Sequence, residues 1–208
     1  MSEFWQGWWL IGAIHLLAAA SPGPDFLFAT RHTLRYGRGS GLWCSFGITL
    51  GLSVHLLYSL LGLAALIAAS EGIMSAIRYL GGGYLIYLGI KGVRARSVNF
   101  EHGVAESASK PKPWKSVALG FGCNLFNPKA PLYFLSLFTV VLSPHMPLSW
   151  WLGYGVWIMG LQMGWFSLLV YGISHTKVRR MLGRFGGWIE RLLGGAMIFL
   201  GLKLWVSR

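Results

Sequence analysis

The chain has 208 residues, of which 54% are hydrophobic and 12% are charged, and its formal net charge is +12. The charged share is about half that of an ordinary soluble domain, which excludes a water-soluble globule. Residues 41–70 and 130–176 contain no Asp, Glu, Lys or Arg. Because an apolar stretch of about 20 residues crosses a bilayer core about 30 Å thick, the sequence predicts an integral membrane protein.

The basic residues lie between the apolar stretches. This placement indicates orientation signals rather than a nucleic-acid surface, so no nucleic-acid partner is expected. Cys44 and Cys123 stand alone in apolar sequence without C-x-x-C spacing, which predicts small packed residues and no metal site. Residues 1–6 contain an acid and no basic segment, so we expect no cleaved signal peptide.

Six spans fit the hydropathy, and each is predicted to be helical because backbone polar groups inside a bilayer must be hydrogen-bonded within the protein. The first and fourth spans are interrupted. In chain order the approximate limits are residues 4–30, 41–69, 73–93, 115–142, 147–172 and 187–206. The predicted fold class is an all-α integral membrane protein with six transmembrane helices.

The first span is interrupted at residues 21–25, which read Ser-Pro-Gly-Pro-Asp. Because proline has no N–H, Pro22 and Pro24 leave the carbonyls of Ala18 and Ala20 without their helical partners. Irregular backbone at this depth is tolerated only where it faces protein or a water-filled cavity. We therefore expect the break to face one of these.

Asp25 begins the second half-helix of this break. An acid at that position complements the positive end of the helix dipole and caps free amides. A carboxylate inside a span is also expensive, which indicates a function. Gly23 permits a backbone conformation that other residues avoid. Ser21, Gly23 and Asp25 are therefore candidate substrate-binding or coupling residues.

The fourth span is interrupted in a similar way at Pro128, which frees the carbonyl of Asn124. The side chains of Asn124 and Asn127 are predicted to share a face and to satisfy the opened backbone. Lys129 has the wrong charge for a helix N-terminus, so it requires a partner: Asp25, a bound anion, or both in turn. Asn124, Asn127 and Lys129 join the candidate site.

The two halves of the chain resemble each other. Residues 80–91 read LGGGYLIYLGIK, residues 192–203 read LLGGAMIFLGLK, and the two breaks match when Pro24 is aligned with Pro128. A duplicated unit of three spans must be inverted in the membrane, and interrupted spans at matching positions are typical of transporter binding sites. We predict a single transmembrane domain over residues 1–208, made of repeat one (1–96), a cytoplasmic connector (97–113) and repeat two (114–208).

Other polar residues within the spans carry weaker signals. His15 lies ten residues before the acid of the first break, about 15 Å along a helix, so no direct contact between them is expected. His55 and Gln162 are predicted to make packing hydrogen bonds rather than a relay. Gly47 and Gly51, four residues apart, would let two helices approach closely.

Lys and Arg are unevenly distributed between the two sides of the spans. One side holds 14 of the 18, the other holds Arg78, Lys203 and Arg208, and Lys129 lies inside a span. By the positive-inside rule both termini are predicted to lie outside and the connector in the cytoplasm. The expected location is a bacterial inner membrane. Tryptophans are expected at the interfaces: outside Trp5, Trp8, Trp9, Trp150, Trp151 and Trp205, and inside Trp114 and Trp188.

Both breaks would place a half-helix N-terminus near the bilayer centre, where with Lys129 they form a site suited to a carboxylate. Asp25 offers an acceptor for an ammonium group. A free amino acid carries both groups, so these residues favour a zwitterionic substrate. Asp25 could equally bind and release a coupling proton, or pair with Lys129 for structural reasons.

With these features the chain resembles the lysine exporter/homoserine–threonine exporter (LysE/RhtB) family over essentially its whole length. The resemblance is carried by residues 21–25, by Gly82–Leu85 with Leu88-Gly89, and by residues 120–130 with Asn127-Pro128-Lys129. It implies six membrane helices and amino-acid efflux driven by the proton gradient, with no cofactor. It also implies a functional core of Pro22, Pro24, Asp25, Asn127, Pro128 and Lys129.

Residues 138–141, Phe-Thr-Val-Val, depart from the Pro-Gln-Phe-like segment of many family members. Together with Pro24-Asp25-Phe26 and residues 129–134, this difference leans towards the threonine-exporter branch. The resulting hypothesis is a proton antiporter that exports a small neutral amino acid, with threonine or homoserine favoured. The alternative is an exporter or channel for a cation or another small solute of the same superfamily.

The expected partners are a small amino acid and the lipid bilayer, and the sequence leaves a homo-oligomer open. We do not expect an enzyme, because the spans carry no nucleophile–base pair and no metal-ligand constellation. The identity of the transported amino acid and the coupling stoichiometry are also open at this level.

Overall fold

Seven α-helices have both ends within the part of the chain that the structure describes. The structure is a computed structural model, and it describes residues 2–67, 71–94, 109–127, 129–130, 133–134 and 146–206. No strand occurs in these ranges, so the all-α prediction is confirmed for them. In chain order the helices are α1 (Ser2–Ala20), α2 (Pro24–Tyr36), α3 (Arg38–Ile67), α4 (Glu71–Arg94), α5 (Pro113–Leu125), α6 (Leu148–Ile173) and α7 (Thr176–Val206).

Two of the described helices contain a stretch that is long and apolar enough to cross a bilayer alone. These stretches are Arg38–Ser59 in α3 and Ser149–Ile173 in α6. α1 and α2 pass the same test together, from Glu3 to Tyr36, as one span bent by 58°. The described residues thus define two spans, or three with the bent pair, and the six-span arrangement stays a prediction.

The last helix begins earlier than the sequence predicted. α7 starts at Thr176 rather than near residue 187, so the basic segment from Lys177 to Arg191 is helical. Hydropathy missed this segment because its Lys and Arg side chains are polar, although both residues favour helix formation. At the second break, α5 ends at Leu125. Pro128 itself lies outside the described residues, and so do residues 138–141.

The predicted break in the first span lies at residues 21–23, between α1 and α2. Pro24 opens α2, a position where its missing N–H removes no helical hydrogen bond. Gly23 has φ −141° and ψ −171°, which is extended backbone of the kind that a following proline imposes. Gly23 therefore does not use the unusual dihedral that a glycine permits. Such a dihedral occurs at Gly37, whose φ of +84° ends α2 and lets α3 begin directly after it.

α3 and α5 approach closely because glycines face the neighbouring backbone on both sides. Gly47 and Gly51 of α3 lie against α5, and a Cβ on Gly47 would collide with the carbonyl oxygen of Val117. From the other side, a Cβ on Gly120 would collide with the carbonyl oxygen of Cys44. The close approach predicted from the spacing of Gly47 and Gly51 is confirmed.

α4 and α7 are joined by two reciprocal glycine contacts. A Cβ on Gly82 would lie 2.9 Å from the carbonyl oxygen of Gly201, and a Cβ on Gly89 would lie 2.5 Å from that of Gly194. Residue numbers rise along α4 as they fall along α7, so the two helices run antiparallel. The contacts join the two glycine-rich segments that resemble each other in sequence.

Two apolar clusters fill the interior, one beside α1 and the other beside α2. The first joins α1, α3, α6 and α7 and includes Ile11, Ile14, Leu52, Tyr154, Ile158 and Met197. The second joins α2, α3 and α6 and consists of Phe26, Ala29, Cys44, Ile48, Phe166 and Leu169. The region around the first break lies between them.

Large apolar side chains also cover much of the outer surface, as a lipid-facing surface requires. Five of the tryptophans predicted at the interfaces are exposed, namely Trp5, Trp9, Trp114, Trp188 and Trp205. Trp8 is instead partly buried, and its ring stacks on that of Trp157 at a centroid distance of 4.6 Å.

The glycine contact between α3 and α5 yields a prediction with a control in the same helix. Gly120→Ala should force the two backbones apart and lower the free energy of unfolding by about 1–3 kcal/mol. Gly122→Ala should be neutral or slightly stabilising, because a Cβ there would meet nothing within 4 Å and alanine favours helix. Thermal unfolding of the detergent-solubilised variants measures both, and equal midpoints would contradict the close packing.

Candidate functional site

A cavity of about 50 Å³ lies between the two apolar clusters, beside the break that separates α1 from α2. Its wall comes from α1, α2, α3, α5, α6 and the helical residues that follow the second break. All six residues predicted to bind substrate or to couple transport contribute to the wall: Ser21, Gly23, Asp25, Asn124, Asn127 and Lys129. The structure thus brings the two breaks together at one place.

The carboxylate of Asp25 is held by residues of the second break. Its Oδ2 accepts hydrogen bonds from Asn124 Nδ2 at 2.8 Å and from Asn127 Nδ2 at 2.9 Å. The thiol of Cys123 lies 3.5 Å from Oδ1. Hydrogen bonds to a carboxylate are about twice as strong as neutral ones, so Asp25 is fixed in orientation by the opposite half of the chain.

The two asparagines act differently from the prediction that they satisfy the opened backbone. Both direct their N–H groups to Asp25, because a carboxylate is a stronger acceptor than a backbone carbonyl. The predicted role is confirmed for one atom, since Asn127 Oδ1 accepts a hydrogen bond from the backbone N–H of Lys129 at 3.0 Å. The other amide oxygen, Asn124 Oδ1, is buried and makes no hydrogen bond within the described part of the chain.

The ammonium group of Lys129 reaches the end of α1. Its Nζ donates to the carbonyl oxygen of Ala18 at 2.7 Å and to that of Ser21 at 3.2 Å. The Ala18 carbonyl is one that Pro22 deprives of its helical partner. A cation is favourable at the C-terminal end of a helix, so Lys129 complements α1 although its charge is wrong for its own helix. Sequence alone suggested Asp25 or an anion as its partner, because it does not show which helix end faces the lysine.

The carbonyl freed at the second break is satisfied from α3. His55 Nε2 lies 3.0 Å from the carbonyl oxygen of Asn124, and the backbone N–H of Asn127 donates to the same oxygen at 3.0 Å. The other ring nitrogen of His55 lies 2.8 Å from Tyr58 Oη. The packing hydrogen bond predicted for His55 is confirmed.

Each break therefore supplies what the other lacks, and we call this arrangement the crossed breaks. Asp25 of the first break accepts from Asn124 and Asn127 of the second. Lys129 of the second break donates to Ala18 and Ser21 of the first. Separating the breaks would leave charged and polar groups unpaired in an apolar interior, which is costly.

Three further polar residues line the same cavity and were not predicted as part of it: His15, Tyr133 and Gln162. A straight helix would separate His15 from Asp25 by about 15 Å, so the sequence did not assign His15 to the site. The cavity extends along α1, and both side chains line it. The available signal was that His15 and Gln162 are polar residues in otherwise apolar spans. Cys123 was also missed as a neighbour of Asp25, because an isolated cysteine in apolar sequence resembles ordinary packing.

The size of the cavity limits what it holds in this conformation. Sites for small organic molecules usually measure about 300–1,000 Å³, whereas this cavity of about 50 Å³ has room for one or two waters. A molecule the size of an amino acid would fit only if the surrounding helices moved apart. The structure thus corresponds to a contracted form of the site.

The model of one family, described as LysE type translocator, matches residues 16–208. The membrane protein YrhP of Bacillus subtilis (strain 168) is 30% identical over 89% of this chain and 92% of its own length. The threonine efflux protein of Escherichia coli (strain K12) is 28% identical over 95% of this chain and 97% of its own length. No solved structure matches the chain.

The family match contains both breaks and every residue of the crossed arrangement. A membrane setting agrees with the apolar helices of the structure, and a small solute agrees with a cavity between helices. The chain belongs to the LysE type translocator family, and it is therefore a membrane-embedded transporter of a small solute and not an enzyme.

Proposed function

We propose that the protein exports a small neutral amino acid, with threonine or homoserine favoured, from the cytoplasm in exchange for protons. The observation that carries the proposal is that the crossed breaks place the carboxylate of Asp25 and the ammonium of Lys129 on one cavity wall. An amino acid offers an ammonium to the first group and a carboxylate to the second. The relative named threonine efflux protein supports the choice of substrate.

The contacts of Lys129 suggest how the substrate is received. The carbonyls of Ala18 and Ser21 already accept hydrogen bonds from an ammonium group, that of Lys129. A substrate carboxylate would attract Lys129 away from these carbonyls, which are then available to the substrate's own ammonium group. A bare cation would be repelled by Lys129, which disfavours the alternative of cation export.

The contacts of Asp25 suggest how proton transfer is linked to substrate release. As a carboxylate, Asp25 accepts from Asn124 and Asn127 and attracts the substrate's ammonium group. Protonation removes the negative charge and weakens all of these interactions. A proton and an ammonium group therefore compete for Asp25, and this competition is what antiport of the two requires.

Alternating access is proposed to come from rocking of two inverted repeats about the cavity. In the repeat alignment Gly82 corresponds to Gly194 and Gly89 to Gly201. Replacing each glycine by its counterpart in the other repeat turns the contact of Gly82 with Gly201 into a contact of Gly194 with Gly89. This second contact is also observed. The antiparallel course of α4 and α7 agrees with inversion in the membrane. Both features support the two-repeat arrangement.

The proposed setting is a bacterial inner membrane with both termini outside and the connector in the cytoplasm. The uneven distribution of Lys and Arg supports this orientation. Gln162 lies near the middle of the span Ser149–Ile173, and the first break lies near the middle of the bent pair Glu3–Tyr36. The cavity would then sit close to the bilayer midplane, where transporter sites commonly lie.

Asp25→Asn tests the role of the carboxylate, because it keeps the shape of the side chain and removes its charge. Export of preloaded threonine should fall by about 10- to 100-fold, since each charge-assisted hydrogen bond contributes about 1.5–3 kcal/mol. Glu3→Gln removes an exposed acid and should export like the wild type. An efflux assay in preloaded cells measures both variants.

Lys129→Gln tests the role of the ammonium group. Export should fall, and the preference of the wild type for threonine over threoninamide, which lacks the carboxylate, should be lost. Lys115→Gln, which changes an exposed lysine, is the matched control and should keep both the rate and the preference. Efflux at the wild-type rate from both Asp25→Asn and Lys129→Gln would disprove the proposed site.

The orientation has its own test in reporter fusions at the C-terminus. Alkaline phosphatase is active only outside the inner membrane, so its fusion should be active, and a green fluorescent protein fusion should be dark. A fluorescent fusion together with an inactive phosphatase would place the C-terminus inside and contradict the proposed orientation.

A further inference from the structure

Three polar residues form a cluster on the cavity wall apart from the crossed breaks. This polar cluster consists of His15 on α1, Gln162 on α6 and Tyr133, which follows the second break. Their exposed fractions are 2%, 3% and 4% respectively. The first apolar cluster adjoins these residues and includes Ile14, Phe134 and Ile158. The polar atoms therefore lie in an otherwise apolar environment.

The hydrogen bonding of the polar cluster is incomplete. His15 Nδ1 lies 3.0 Å from Tyr133 Oη, which orients the imidazole ring. His15 Nε2 and Gln162 Oε1 are both buried, and neither has a hydrogen-bond partner of good geometry among the described residues. The Gln162 side chain lies close enough to His15 for a weak hydrogen bond, but its geometry leaves both atoms incompletely satisfied. Buried polar atoms without partners are rare and require an explanation.

The two unpartnered atoms have complementary chemistry. When Tyr133 donates its hydroxyl proton to Nδ1 of His15, the ring proton lies on Nε2, which becomes a donor. Gln162 Oε1 is an acceptor. A hydroxyl group both donates and accepts, so one hydroxyl can satisfy both atoms. An apolar group would leave both unsatisfied, and a charged group would lose its hydration beside apolar side chains.

The position of the polar cluster fits a role in substrate recognition. The cluster shares its cavity with Asp25 and Lys129, the two residues proposed to hold the charged groups of the substrate. Apart from those groups, an amino acid presents only its side chain to the wall. The cluster is therefore placed to meet a side chain when the cavity expands.

We infer that His15 and Gln162 recognise a hydroxyl group on the side chain of the exported amino acid, with Tyr133 as a positioning residue that orients His15. The inference rests on the proposed function and narrows its substrate class to neutral amino acids with a side-chain hydroxyl. Such a site discriminates strongly against an isosteric substrate without the hydroxyl, because that substrate leaves the buried atoms of the site unpaired.

The test compares threonine with valine, in which a methyl group replaces the hydroxyl at nearly constant shape. Export of each is measured from preloaded cells, and the ratio of the two rates is the readout. The wild type should prefer threonine. Gln162→Met keeps the length of the side chain and removes the acceptor, so it should lower the threonine-to-valine ratio by at least about tenfold without lowering valine export.

A matched control and a second variant keep the test decisive. Gln6→Met changes an exposed glutamine of α1 and should leave the ratio unchanged. Tyr133→Phe removes one oxygen atom and should also lower the ratio, because His15 loses its orienting bond. If Gln162→Met does not yield folded protein, the threonine-to-valine export ratio of Tyr133→Phe tests the inference alone.

The outcomes separate this inference from the proposed function. An unchanged ratio in variants that still export would overturn the inference, and the cluster would then hold a buried water or serve packing. Equal export of threonine and valine by the wild type would also overturn it and would leave amino-acid export standing. If the wild type exports no amino acid, the proposed function fails and the inference fails with it.

Discussion

The central constraint on this structure is that backbone groups freed inside a membrane need partners within the protein. Pro22 frees the carbonyl of Ala18, and Lys129 of the other half of the chain donates to it. At the second break the carbonyl of Asn124 is satisfied by His55, and the amide of Asn124 turns to Asp25. Lys129, which satisfies the first break, and Asp25, which holds the amide of Asn124, are the charged residues that line the cavity. Under the proposed function, stability and transport depend on the same contacts.

This dependence explains how a contracted cavity can belong to a transporter. Lys129 rests on carbonyls that can also receive a substrate's ammonium group, and Asp25 rests on amides at the opposite break. Substrate groups of the same chemistry can replace each interaction as the helices move apart, so opening need not leave charges unpaired. The glycine contacts of Gly82 and Gly89 keep α4 and α7 in close contact.

Sequence reasoning identified the charged centre because proline and charge act locally. The two breaks and the wrong sign of Lys129 for its own helix follow from the order of residues alone, as does the close approach at Gly47. It could not place His15 or Cys123, because their roles depend on which side of a bent helix pair faces the second break. Sequence also left the conformation of Gly23 open, and the structure shows the extended backbone that a following proline imposes. The early start of α7 was missed because hydropathy detects apolar spans, and residues 177–191 are rich in Lys and Arg.

The central claim is that the crossed breaks form the binding site of the amino acid. An experimental structure of the protein with bound threonine measures this most directly, through the distances from Lys129 Nζ and the Asp25 carboxylate to the ligand. We predict that Lys129 Nζ leaves the carbonyls of Ala18 and Ser21 for the threonine carboxylate, and that the ligand's ammonium group binds at Asp25. A structure in which Lys129 keeps both carbonyls and threonine binds outside the cavity would contradict the account.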